Sequence, residues 1–240
     1  MPTPLDIAVA FLFAGLVPLA SALFFDKRFR GQVAAGFPRA RRNAYRRSLI
    51  LQWILAVAVI LLWVRAGRPW RPIGLAAPSG WRLIVGLGLM ALAIGFTVQQ
   101  IVAVRHVQGE RLAKLRRQIA DLEFMLPHTS REYRLFLALS CTAGVCEELL
   151  YRGYLTWLLA AFLGLPAAIV LVAVAFGSGH AYQGARGVLK TGLVSLVMSL
   201  IVVASGWLVP AMVVHALVDI SGGTAGFTVL REEEAGAIAA

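Results

Sequence analysis

Charge is scarce in this chain. Asp, Glu, Lys and Arg make up 15% of its 240 residues, against about 25% in soluble domains. Apolar residues fill 59%, well above the roughly 45–50% of soluble proteins. That balance excludes an ordinary water-soluble domain. Acids are scarcer than bases, 12 against 23, but the excess charge does not form the continuous patch that a nucleic acid needs. The bases cluster in 27–47 and 105–134, beside apolar runs, where positive charge sets topology and meets anionic lipid. Nucleic acid is therefore excluded as a partner. Cysteine is nearly absent. Cys141 and Cys146, five apart in one apolar helix, point to different sides, which excludes a disulfide between them. The N-terminus lacks the basic region of a cleaved signal peptide and carries Asp6, so it reads as a retained span. There is no internal repeat and no second domain.

Long apolar runs are abundant. Those at about 5–25, 48–66 and 82–104 have the length of membrane-spanning helices. The C-terminal half adds a helix over about 134–163, a turn at Gly164 and Pro166, and a second helix that ends near the loop "QGARG". A third helix covers about 188–204, and "SGW" (205–207) leads into a last one, "LVPAMVVHALVDI". The expected fold is all-α: a polytopic integral membrane helical bundle with about seven or eight transmembrane helices. One integrated bundle is expected, with residues 1–132 as N-terminal membrane helices with basic loops, 133–230 as the core that carries the chemistry, and 231–240 as a disordered tail. The segment 26–47 holds eight Lys/Arg, 105–134 seven and 65–82 four. The positive-inside rule then makes the first and third loops cytoplasmic, leaves the N-terminus extracytoplasmic and places the protein in the cell membrane. In the third loop, Leu112, Leu115, Ile119, Leu122 and Met125 recur at spacings of three and four, which predicts an amphipathic helix over 110–126 lying on the lipid or the bundle.

Six ionisable residues interrupt the apolar runs of the C-terminal half. Each costs about 2.5–3.5 kcal/mol on insertion scales, so such residues are functional candidates. In "CEELLYRGY", Glu148 and Arg152 are four apart in the order that favours an intrahelical ion pair. Glu147 is rotated about 100° from Glu148 and is left free to take a proton. His180 follows Phe176 by one turn and can pack beside it. His215 and Asp219 share a helix face, where the carboxylate can orient the imidazole. Counting back from the turn at 164, Glu147 and His180 reach similar depth. His215 comes out about 10 Å too shallow unless the 205–207 turn is sunk within the protein or the 134–163 helix breaks near Gly153.

"EELLYR" (147–152), "FGSGH" (176–180) and "HALVD" (215–219) resemble, in order, the motifs EExxxR, FxxxH and HxxxN/D of the CPBP family. These are intramembrane proteases related to type II CAAX prenyl endopeptidases, also described by the Abi domain, and the resemblance spans about 134–222. It departs at Asp219, often Asn in the prenyl-peptide proteases. The resemblance implies an intramembrane endopeptidase acting on a peptide or protein substrate, prenylated or membrane-embedded, in the lipid bilayer. Glu147 would be the general base, sharing a water with His180. His215 would stabilise the oxyanion, Asp219 would orient it, and Glu148, Arg152 and Phe176 would support the site.

Two alternatives stay open at this point. Glu147, His180 and His215 also form a plausible three-ligand zinc set, giving a zinc-dependent version of the same protease, whereas the metal-free reading requires no cofactor. Carboxylates and histidines in a bundle also suit a proton-coupled transporter or a non-enzymatic scaffold. Serine catalysis has little support, since Ser178 lies roughly opposite His180 on a helix.

Overall fold

The computed structural model describes the backbone of residues 1–239 and the side chains of residues 1–231. The expected tail 231–240 falls almost wholly outside the described side chains. Among the described residues every regular element is helical. Five helices are long and apolar enough to cross a membrane: α1 (Pro4–Ala34), α2 (Ala40–Arg65), α3 (Trp81–Arg105), the segment Ala181–Ser205 that contains α7 (Gly184–Ser205), and the Leu208–Arg231 part of α8 (Leu208–Ala239). A short surface helix, α4 (Gly109–Ile119), precedes α5 (130–163), and α6 (Leu165–Gly179) is a shorter apolar helix. Leu92, Ile84 and Phe96 of α3 point outward, as a lipid-facing surface requires. The chain is a multi-pass helical membrane protein.

The helices outrun their apolar stretches. Helix α1 continues to Ala34 and α2 starts at Ala40, so most of the basic segment expected as a loop at 26–47 is helical. Arg and Lys are good helix formers, and hydropathy marks where lipid ends rather than where helix ends. The amphipathic stretch expected over 110–126 is α-helical to Ile119 and then tightens to a 3₁₀ segment, Ala120–Met125. Inside α1, Pro18 offers no N–H, and the helix widens to π geometry on both sides, at Leu12–Leu16 and Ser21–Phe25.

The start of α1 is tied into the core. Thr3 and Asp6 form a capping box, and Asp6 is fully buried. Its carboxylate accepts from Arg68 Nη1 at 2.7 Å and Nη2 at 2.6 Å and from the Tyr154 hydroxyl at 2.6 Å. Arg68, in the segment between α2 and α3, also lies over the rings of Trp157 and Trp63. The Asp6 carboxylate holds the Arg68 guanidinium charged to still higher pH than an ordinary arginine.

The 205–207 turn is sunk within the protein. Ser205 and Leu208 are fully buried, and the Leu208 N–H donates to the Gly74 carbonyl at 2.8 Å, so the 66–80 segment covers it. That resolves the depth of His215. Helix α5 meanwhile passes Gly153 without a break: α-helix Ser130–Glu147 runs into a π-helical stretch, Glu148–Leu155, and on into α-helix Thr156–Leu163. All eight residues of the π stretch are buried, because α2, α6, α8 and the 3₁₀ turn Arg71–Ile73 surround it.

Candidate active site

Close backbone approaches bring the three motifs together. A Cβ at Gly144 would stand 2.6 Å from the Met212 carbonyl and 2.8 Å from the Ala216 Cβ, so only glycine lets α5 and α8 lie this close. Glu148 is one turn after Gly144, and His215 is next to Ala216. A Cβ at Gly177 would meet the Val188 carbonyl at 2.7 Å, which seats α6, with Phe176 and His180, against α7.

At this junction His215 Nδ1 donates to Glu148 Oε1 at 2.6 Å. A carboxylate oxygen only accepts, so the hydrogen lies on Nδ1. Nε2 is left facing two further carboxylates, Asp219 Oδ2 at 3.7 Å and Glu147 Oε2 at 3.9 Å, both beyond hydrogen-bond reach. Glu148, whose side chain is fully buried, also pairs with Arg152 Nη1 at 3.0 Å, the ion pair that the spacing predicts. The Arg152 guanidinium lies 4.1 Å above the Phe176 ring, a cation–π contact in a desolvated setting.

Phe176 is the hub between the second and third motifs. Its ring centroid lies 4.8 Å from that of His180 and 6.1 Å from that of His215, with Tyr151 packed edge-on at 5.0 Å. Its carbonyl accepts from His180 Nδ1 at 2.8 Å. A carbonyl cannot donate, so His180 is likewise protonated at Nδ1 with Nε2 uncommitted. Both histidines thus have one nitrogen held by the protein and the other free.

Glu147 is not without a partner, as its place in the sequence suggested. Gln52 Nε2 of α2 donates to its Oε1 at 2.9 Å. Helix α2 runs beside α5, with Tyr45 packed on Phe136 and Trp53 Nε1 donating to Thr142 Oγ1 at 3.2 Å. Sequence reasoning passed over Gln52. Its signal was a polar residue on the buried stripe Tyr45, Ala56, Val59 and Trp63, whose spacing of three and four includes position 52. Among the described residues, the buried side-chain polar atoms without a hydrogen-bond or ion-pair partner include Gln52 Oε1, Glu148 Oε2 and Arg152 Nε and Nη2. Such atoms are rare in native proteins, and here they gather at one site.

The cluster is accessible. The Glu147 and Asp219 side chains are 19% and 38% exposed, while Glu148 and Arg152 are closed off. Arg152 alone of these residues lines a separate cleft of about 500 Å³, walled by Trp157, Leu165, Ile169 and Val202. Among the described residues no group of three or more His, Cys, Asp or Glu side chains has the arrangement of a metal site.

Residues 129–221 match the family model of the Rce1-like type II CAAX prenyl endopeptidases. The segment is an Rce1-like domain. No curated protein and no solved structure matches the chain. The Rce1-like domain contains all three motifs, Glu147 to Arg152, Phe176 to His180 and His215 to Asp219. Gln52 lies outside it, so a helix beyond the matched segment reaches in to Glu147.

Proposed function

We propose that the chain is an intramembrane endopeptidase in which Glu147 activates the attacking water. The observation that carries this reading is the convergence, from three helices, of the accessible Glu147 carboxylate and two imidazoles, each imidazole with a free Nε2. A water held between Glu147 and His180 Nε2 gives a proton to Glu147 as its oxygen attacks the scissile carbonyl carbon. The carbonyl oxygen becomes the oxyanion and is met by His215, which donates from Nε2 in its doubly protonated form, with Glu148 holding Nδ1 and the added charge. Glu147 then delivers its proton to the leaving amine as the C–N bond breaks, which restores the carboxylate. Asp219, beside the same Nε2, supports the charged imidazole. The residues need no metal for this cycle. The substrate is a peptide or protein held at the membrane, consistent with the family's action on prenylated C-terminal peptides.

The test is cleavage by the purified protein in bilayers. Glu147→Gln keeps the size of the side chain and its contact with Gln52 but cannot take the proton. Turnover is expected to fall about 100- to 10,000-fold with unfolding unchanged, and wild-type-like turnover by this variant would remove Glu147 as the base.

A further inference from the structure

Four arginines converge where α2 and α5 begin, without a counter-ion among the described residues. Arg39, Arg42 and Arg46 follow one another at spacings of three and four, with Asn43 four after Arg39, so they share one face. Arg131, in the first turn of α5, closes the other side of a cleft of about 300 Å³. None of the four guanidiniums is paired with a carboxylate among the described residues. Glu132, the neighbour of Arg131, is buried and accepts instead from the backbone N–H groups of His128 and Thr129.

Like charges at these spacings repel, and a fourth arrives from a second helix. The start of α2 adds positive potential of its own, because Arg39 stands at its N-cap without a side-chain acceptor for the first N–H groups. The depth is informative too. The apolar run of α2 begins near residue 48, so Arg46 lies about 3 Å and Arg42 about 9 Å beyond it along the axis. Arg46 therefore lies within the polar headgroup layer, roughly 5–7 Å thick on each side, and Arg42 just beyond its outer edge. Guanidinium forks match phosphate oxygens geometrically as well as in charge.

We propose that this cleft binds the phosphate of an anionic membrane lipid, which joins α2 to α5. The claim is independent of the proteolytic reading. Helix α2 carries Gln52 and α5 carries Glu147, so the lipid would tie together the two helices whose contact positions that carboxylate.

The full-length protein in phosphatidylcholine vesicles, with and without added phosphatidylglycerol, tests this by thermal unfolding and by the lipid retained on purification. Wild type should retain phosphatidylglycerol and melt higher in its presence. Arg42→Gln/Arg46→Gln/Arg131→Gln should weaken retention about tenfold or more and abolish the melting shift. A control with equal charge loss on the surface helix, Arg111→Gln/Lys114→Gln/Arg117→Gln, should keep both. If the control loses as much as the triple variant, bulk charge explains the binding and the cleft is not a site. If inorganic phosphate alone, in lipid-free detergent, reproduces the shift, the ligand is soluble phosphate and the lipid assignment fails. Wild-type behaviour of the triple variant would sink the proposal outright.

Discussion

His215 is held by Glu148, 67 residues away in the chain, at 2.6 Å from Nδ1 to Oε1. Asp219, one turn along its own helix, stays 3.7 Å from Nε2. One oxygen of Glu148 therefore faces both His215 and Arg152, while Glu147 beside it faces Gln52 and the open side of the site. The two adjacent glutamates have different work, and substitutions should separate them.

Glu148→Gln or Arg152→Leu leaves a buried charge without its partner, a loss of about 3–5 kcal/mol. Both variants should melt well below wild type in detergent, whereas Glu147→Gln should not. Glu148→Gln should in addition lose most of its activity at temperatures where it remains folded, because the His215 imidazole is no longer fixed by a carboxylate. Wild-type melting of both variants would mean that the ion pair does not stabilise the fold.

Gln52→Leu removes the donor to Glu147 with little change in volume. A hydrogen bond to a charged group contributes about 1.5–3 kcal/mol, so kcat should fall about 10- to 150-fold while KM stays near wild type. Steady-state kinetics on one substrate decides the matter, and an unchanged kcat would make the contact incidental.

Gly144→Ala places a methyl group where the Met212 carbonyl stands. Separating α5 from α8 should cost about 1–3 kcal/mol and should also reduce activity, because the Glu148–His215 hydrogen bond spans that interface. Gly88 of α3 has open space around it, and Gly88→Ala should melt like wild type or slightly higher. Equal behaviour of the two alanine variants would show that the close approach is not needed.

Extended chelation followed by removal of the chelator should leave proteolysis intact, and metal content should be far below one ion per chain. The expectation follows from Glu147 taking the proton without a metal. Activity lost on chelation and restored by zinc would overturn it.

Charge made the site legible in the sequence. Six ionisable residues in apolar runs stand out because lipid disfavours them, and Glu148 with Arg152 could be paired by spacing alone. What distance in sequence conceals is partnership between helices. Asp219 looked like the partner of His215 because it is four residues away, and nothing local marks Glu148 for that role. Gln52 was hidden because one neutral amide barely lowers the hydropathy of its run. The π stretch of α5 was hidden because periodicity over eight residues does not resolve a widened turn. Helix boundaries were misplaced at 26–47 for a simpler reason: the pattern that shows where lipid ends is silent on where hydrogen bonding ends.

The buried Asp6 has a consequence in time. Its distant partners lie 62 and 148 residues further along the chain, at Arg68 and Tyr154. At about 5–20 residues per second of synthesis, the carboxylate waits roughly 3–12 s for the guanidinium and about 7–30 s for the phenol. The first helix therefore reaches the membrane with its acid answered only by Thr3. It is anchored only after a hairpin with α2 has formed, and sealed only when α5 arrives.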